Sequence, residues 1–414
     1  MRSRRWKVPV VALAGLAATA AAQTAPASAA QTAPASAAPP AATATATAPT
    51  ATATATAGTA FPALASPQAF RQPSWRDVSP AAARDRQFRG LAAVSSRVAW
   101  LAGTAGTVLR TVDGGRSWAD VSPRGLPAGI QFRDVEALDA RRAVALTIGT
   151  GTDSRIYRTV DGGATWTLGF VNRDPAAFYD CMAFFSPLEG IALSDPPDGK
   201  FRIVRTTDGG RHWAVQSSAG MPAALPGEFA FAASGTCLVT SGRREAWIAS
   251  GGGATSRVYH STDAGHTWSV SATPVASGAA AGIFSLAVRP FSLAVRPFSG
   301  QVPDASVTSG TAVVAVGGDF TAPTGRGRIA AVSIDSRRWL SSPGMPHGYR
   351  SGVAFLPGTV ASLVAVGPTG SDVSTNAGLT WTSFDTGSFD TVQCAADGAC
   401  WASGAGGRVG LLSR

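Results

Sequence analysis

Short apolar runs with a two-residue alternation recur from residue 74 to the C-terminus, and each set ends in a polar, glycine-containing turn followed by tryptophan. Such runs bounded by turn residues read as β-strands. The turn itself is written five times: Thr111–Trp118, Thr159–Trp166, Thr206–Trp213, Ser261–Trp268 and Ser374–Trp381. In each copy an Asp or Asn stands third and a Gly fifth, and a Ser, Thr or His precedes the Trp. A carboxylate or amide there can accept backbone N–H groups of its own turn. The glycine supplies positive φ at little cost, and the Trp opens the next strand with a large face to bury.

Upstream of each turn lies a second apolar strand: Ala99–Gly103, Val144–Thr147, Gly190–Ser194, Ala246–Gly251, Val314–Gly317, Leu363–Gly367 and Cys400–Gly404. Before most of these comes a first strand that opens on an aromatic residue, at Phe88, Phe132, Phe178, Phe284, Tyr349 and Phe389. First strand, second strand, strand before the turn and Trp strand make a four-stranded unit repeated every 40 to 55 residues or so, the signature of a repeat fold. The expected fold is therefore all-β, a seven-bladed β-propeller. A decayed turn, Ser333–Trp339, is one residue short and has lost its Gly. Trp75 has no turn before it, but Ser74–Pro80 copies Ser117–Pro123, and the chain ends after Val409–Leu412 where a Trp strand is due. The N-terminal strand is thus expected to complete the last blade, which closes the ring and removes its open edges.

Residues 1–22 read as a secretory signal peptide: Arg2, Arg4, Arg5 and Lys7, an apolar Val8–Ala18 and a small-residue site at Ala20–Ala22. Residues 23–67, nearly all Ala, Thr, Pro and Ser, read as a disordered linker, which leaves 68–414 for the propeller. No later apolar stretch reaches membrane-spanning length. The protein is expected to be secreted or periplasmic. Of its four cysteines, Cys394 and Cys400 flank a hairpin turn and are expected to form a disulfide. Cys181 and Cys237 lie in first strands of neighbouring units and are read as two buried thiols, with a disulfide as the alternative. The segment Phe284–Pro290 is repeated identically as Phe291–Pro297, and the extra seven residues are expected to bulge into a loop.

The net charge of +10 rests on arginine, since lysine occurs only at positions 7 and 200. It invites an acidic or membrane-associated protein partner. No nucleic-acid-binding motif is present, and His212, His260, His266 and His347 show no metal-ligand spacing, so neither cofactor nor metal is expected.

The pattern Ser/Thr-x-Asp-x-Gly-x-Ser/Thr-Trp resembles the Asp-box, or bacterial neuraminidase repeat, over the chain from about residue 70 onward. The resemblance implies that Asp113, Asp161, Asp208, Asp263 and Asn376 lock turns on the outer rim, and that Trp118, Trp166, Trp213, Trp268 and Trp381 pack blade against blade. Asp-box propellers include sialidases, xyloglucan-active glycosidases, sortilin-type receptors and photosystem II assembly and stability factors. The chain looks most like the last group, which implies binding without turnover. The arginine, Arg-Ile-Pro and Tyr–Glu sets of a sialidase are not matched; Phe201–Arg205 lacks the proline.

Aligned on their aromatic residue, the first strands carry Arg89, Arg133, Tyr179, Ser285, Arg350 and Asp390 at the next position, with Asp134 and Asp180 alongside. First strands line a propeller's channel, so these positions are expected to ring its mouth as a cationic funnel for carboxylates or an acidic peptide. The expected function is a non-catalytic, monomeric scaffold that binds a protein partner in assembly or stabilisation. The alternatives are a glycoside hydrolase using Asp134, Asp180 or Asp390, and a lectin-like glycan binder.

Overall fold

A computed structural model describes residues 72–294 and 307–413. The signal-peptide and linker assignments, residues 1–67, lie outside the described residues. The described strands form seven antiparallel four-stranded sheets. Their innermost strands are Phe88–Ala93, Gln131–Ala137, Tyr179–Phe184, Leu238–Ser241, Ala281–Ala294, Gly352–Phe355 and Thr391–Cys394, which define blades 1 to 7 in chain order. Antiparallel order within a blade puts the start of every inner strand at one end of the ring, the mouth. The turns after the first and third strands lie at the other end, which is the box face.

Burial follows position within the blade. The second strands Ala99–Gly103, Gly190–Ser194 and Leu363–Gly367 are buried along their whole length, because both faces of the sheet are covered by neighbouring blades. The outermost strand Ala119–Asp120 is exposed throughout. Ring closure follows the sequence expectation. Ser74–Asp77 pairs with Val409–Ser413, Trp75 opposite Leu412 and Asp77 opposite Gly410. The Trp75 ring packs 5.2 Å from that of Phe389, and its Nε1 donates to Ser371 Oγ at 3.0 Å in blade 6.

The repeated turn is a closed hydrogen-bond set. Asp113 Oδ1 accepts the Ser117 N–H at 3.0 Å, Oδ2 accepts the Ser117 hydroxyl at 2.6 Å, and Gly115 N donates to Thr111 Oγ1 at 3.0 Å. The Ser117 hydroxyl, and then the Ser117 N–H, hold the Asp113 carboxyl down to about 2. The set recurs at Asp161, Asp208 and Asp263. Asn376 reproduces it, accepting Thr380 N at 2.9 Å and donating to the Thr380 hydroxyl at 2.8 Å. Gly115 has φ 80°, and a Cβ there would lie 2.7 Å from the Val78 side chain, so backbone strain and packing both require glycine. The Trp that follows reaches the preceding blade. Trp166 meets Trp100 edge-on at 6.3 Å and donates to Val121 O, and Trp118 meets Trp401 at 6.1 Å and donates to Val78 O.

Two expectations are corrected. Cys181 and Cys237 are joined by a disulfide rather than left as thiols; their Cα atoms are 6.1 Å apart, which ties blade 3 to the entry of blade 4. As far as it is described, residues 291–294, the duplicated segment does not bulge into a loop. It lengthens a hairpin, with Pro290 opposite Thr311, Phe291 opposite Gly310 and the ladder running to Ala294 opposite Val307. Inserted residues with strand propensity find partners across the hairpin, so the ladder grows. Cys394 and Cys400 sit directly opposite each other in the inner hairpin of blade 7 and are disulfide-bonded.

Candidate functional site at the channel mouth

Four inner strands begin with a register shift, between Phe88 and Gly90, Phe132 and Asp134, Tyr179 and Cys181, and Ile283 and Ser285. A bulge of this kind leaves one residue out of the ladder and re-aims its side chain. The residues left out are Arg89, Arg133, Asp180 and Phe284. All four line a cavity of about 570 Å³ at the mouth, joined by Asp195, Asp390 and the rings of Phe229, Phe231, Phe320 and Tyr349.

Alignment on the first aromatic residue is therefore off by one in two blades. Blade 3 has two consecutive aromatics, Phe178 and Tyr179, and it is Tyr179 that occupies the place of Phe88. In blade 5 Ile283 takes that place. Tyr179 is fully buried against Phe170 between blades 2 and 3, and burial pushes its hydroxyl up to about 12. Ser285 is buried and accepts the Val353 N–H at 3.0 Å. Arg350 is also fully buried. Its Nε and Nη2 lie 2.7 and 2.6 Å from Asp372 Oδ2, and its Nη1 donates to Tyr349 O and Thr369 Oγ1. His347 Nδ1 donates to the other Asp372 oxygen at 2.6 Å. Asp134 lies deeper, 1% exposed, where its Oδ2 accepts the Met182 N–H of blade 3 at 2.7 Å. Of the expected ring, the structure brings Arg89, Arg133, Asp180 and Asp390 together at the mouth, and it sets Tyr179, Arg350 and Asp134 in packing roles.

The mouth also contains a segment that sequence reasoning missed. Blade 4 has no inner strand opening on an aromatic; instead, residues 229–236 cross the mouth as a strap. Phe229 pairs through its backbone with Gly251, Ala230 N donates to Asp195 Oδ1 at 2.8 Å, and Arg133 Nη1 donates to Ala232 O at 2.8 Å. Phe231 stacks on Phe284 with centroids 3.8 Å apart. Beyond them the Ser234 carbonyl accepts the Thr391 hydroxyl at 3.0 Å in blade 7. The available signal was the Phe-Ala-Phe-Ala-Ala run at 229–233, apolar yet bounded by glycines and outside the repeat.

The charges of the mouth are perturbed. Asp390 accepts Gln87 Nε2 at 2.8 Å and lies 3.9 Å from Arg89 Nε; burial raises its carboxyl while Arg89 pulls the other way. Burial, and then the charge of Arg89, lowers Arg133 to about 10. Asp180 and Asp195 face one another. Burial lifts Asp180 well above the carboxylate range, reinforced by the charge of Asp195, and burial brings Asp195 up to about 7. Two carboxyls in contact in a desolvated site cannot both ionise readily, so near neutral pH the pair holds a proton between them. The mouth thus offers two guanidinium groups, an acid pair that shares a proton and an aromatic wall, with the strap as its floor.

Among the described residues no group of three or more His, Cys, Asp or Glu is placed to hold a metal ion, and no helix is long and apolar enough to cross a membrane. No protein-family model and no curated protein matches the chain. Solved structures do. The chain is similar to "YCF48 bound to D1 peptide" at 15% identity, over 85% of this chain and 100% of that one, with a TM-score of 0.55. YCF48 from Cyanidioschyzon merolae matches at 15% identity over 81% and 98%, TM-score 0.52. The WD40 β-propeller domain of Doa1 matches at 11% over 82% and 97%, TM-score 0.51. At such identities the likeness is one of fold: these are β-propellers, and this chain is built as they are.

Proposed function

We propose that the channel mouth binds an extended, acidic segment of a protein partner, and that the protein acts as a monomeric scaffold without a turnover step. The carrying observation is the juxtaposition of Arg89 and Arg133, projected by bulges, with the aromatic wall of Phe231, Phe284 and Tyr349 in one cavity. Guanidinium groups fit carboxylates, and the rings fit apolar side chains between them. The similar propeller of YCF48 is one bound to a peptide. Two disulfides and the basic, then apolar, N-terminal sequence support a place outside the cytoplasm, secreted or periplasmic.

The test uses a photo-crosslinking residue at Phe320, a mouth position that is half exposed. Irradiation in a native extract should yield one dominant partner by mass spectrometry. The double variant Arg89→Ala/Arg133→Ala should lose that product while its melting temperature stays within a few degrees. Undiminished crosslinking in the double variant would sink the assignment. Turnover of fluorogenic glycosides that disappears in Asp180→Asn would favour the hydrolase instead.

A further inference from the structure

The box face carries a second concavity, remote from the mouth. It lies between the turns that follow the inner strands of blades 2 and 3 and encloses about 320 Å³. Val144, Phe184 and Phe185 line it together with Arg142 and Arg158, and Leu138 and Leu188 stand on the rim. These two leucines are 45% and 60% exposed, in adjoining turns. Large aliphatic side chains left in water on both lips of one groove mark a place where something apolar docks.

Glu136 is the one acid among the residues that line it. Glu136 stands two residues after Asp134, so strand alternation directs both toward blade 3. Among the described residues the Glu136 carboxyl forms no hydrogen bond or ion pair. The cations nearby are engaged elsewhere. Arg142 donates to Asp139 through Nε at 2.8 Å and Nη2 at 2.5 Å, and Arg158 Nε donates to Gly209 O at 2.8 Å. Burial pushes Glu136 up to about 7, with no cation drawing it back. Asp134, on the same strand face, is itself lifted well above the carboxylate range by burial and then by the charge of Glu136, so Glu136 is the acid of the pair that carries charge.

We propose that this groove is a binding site for a small apolar ammonium, an amine on a single ring or short alkyl chain. Its body would lie against Phe184 and the two leucines, and its N–H groups would donate to the Glu136 carboxylate. A partly desolvated carboxylate without a partner is costly, and a ligand cation removes that cost where a neutral ligand leaves it standing. Anionic ligands meet the Glu136 carboxylate and are repelled. The volume is at the lower end for ligand pockets, which restricts the occupant to a small molecule.

The probe is 2-phenylethylamine, with 2-phenylethanol as its neutral counterpart, titrated calorimetrically into the whole chain at about pH 8, where the amine is charged and Glu136 ionised. The amine should bind at least about tenfold more tightly than the alcohol. Glu136→Gln should bring the amine down to the level of the alcohol. Leu138→Arg, at an exposed rim position, should also weaken the amine without changing the melting temperature. Arg89→Ala should leave it unaffected, which separates this site from the mouth. Equal affinity for amine and alcohol, undiminished amine binding in Glu136→Gln, or no saturable binding of either probe overturns the proposal.

Discussion

Arg133, the residue that the blade 2 bulge leaves out of its ladder, donates through Nη1 to the carbonyl of Ala232 at 2.8 Å. A channel-lining side chain of blade 2 thereby holds the strap of blade 4. A hydrogen bond from a charged donor contributes about 1.5–3 kcal/mol. Arg133→Met should therefore loosen the strap locally. Amide exchange at 229–233 should rise by about tenfold or more, while the Trp100 and Trp247 strands keep their protection. Unchanged exchange in the strap would show that its apolar contacts alone hold it.

The Asp180–Asp195 pair makes stability depend on pH. Both carboxyls are raised in the folded state, Asp195 to about 7 from an ordinary 3.8. A raised group favours the fold fully below its unfolded value and loses that contribution as pH rises through its folded value. Stability should thus fall as the pH climbs from about 4 through 7, the Asp195 part of the fall being complete just above that. Asp195→Asn should flatten this fall and raise the melting temperature at about pH 8 by a few degrees. Under the proposed function an acidic partner should also bind more weakly above neutrality, when the pair ionises beside the two arginines.

The box positions tolerate amide for carboxylate. Asn376 already holds the same turn, with its Oδ1 accepting Thr380 N at 2.9 Å. Asp263→Asn should leave the melting temperature within a degree or two of wild type, because Thr267 can accept from the new amide as Thr380 does. Asp263→Ala should lower it clearly, since the amides of His266 and Thr267 lose their acceptor. A thermal melt of the two variants side by side decides the point.

The two disulfides should differ in weight. Cys181–Cys237 closes a loop with a sequence separation of 56, and Cys394–Cys400 one of 6. On loop-closure entropy the longer crosslink should stabilise more by about 2 kcal/mol. Chemical denaturation of the two paired Cys→Ala variants should rank them in that order; a reversed order would show that local packing at Cys394 outweighs chain entropy.

Trp75 closes the ring from outside. Its half-buried indole lies against Phe384 and Phe389 and donates to Ser371. Trp75→Ala should cost about 2–3 kcal/mol, somewhat less than for a fully buried tryptophan. The loss should appear first in amide exchange of Val409–Ser413.

Much of the fold was legible because its determinants are local. The Asp–Gly turns, the apolar second strands and the Trp75 copy each carry their geometry in a few adjacent residues, and the ladders formed where those patterns stand. The mouth was legible only in part. Arg89, Arg133 and Asp390 were placed there by strand order, but Arg350 carries the same residue type and is consumed by Asp372, a partner 22 residues away with no local signal. The alignment slipped by one in blades 3 and 5, where the adjacent apolar residues Phe178 and Tyr179, and Ile283 and Phe284, make the phase ambiguous. Asp195, the strap and Glu136 escaped notice because each acts through contacts between blades. The duplicated Phe291 segment was misread because a strand-forming insertion can lengthen two strands at once.

Blade 7 is assembled from the two extremes of the described chain, three strands from Thr391–Ser413 and one from Ser74–Asp77. Blades 1 to 6 can pair as they leave the ribosome, each from contiguous sequence. The seventh sheet must wait for strands made hundreds of residues apart, so the first described strand stays without its neighbour while blades 1 to 6 are made. Completion of the circle is a late, all-or-none event in the life of each molecule, and until then an open strand edge is exposed to any chaperone or stray strand that meets it.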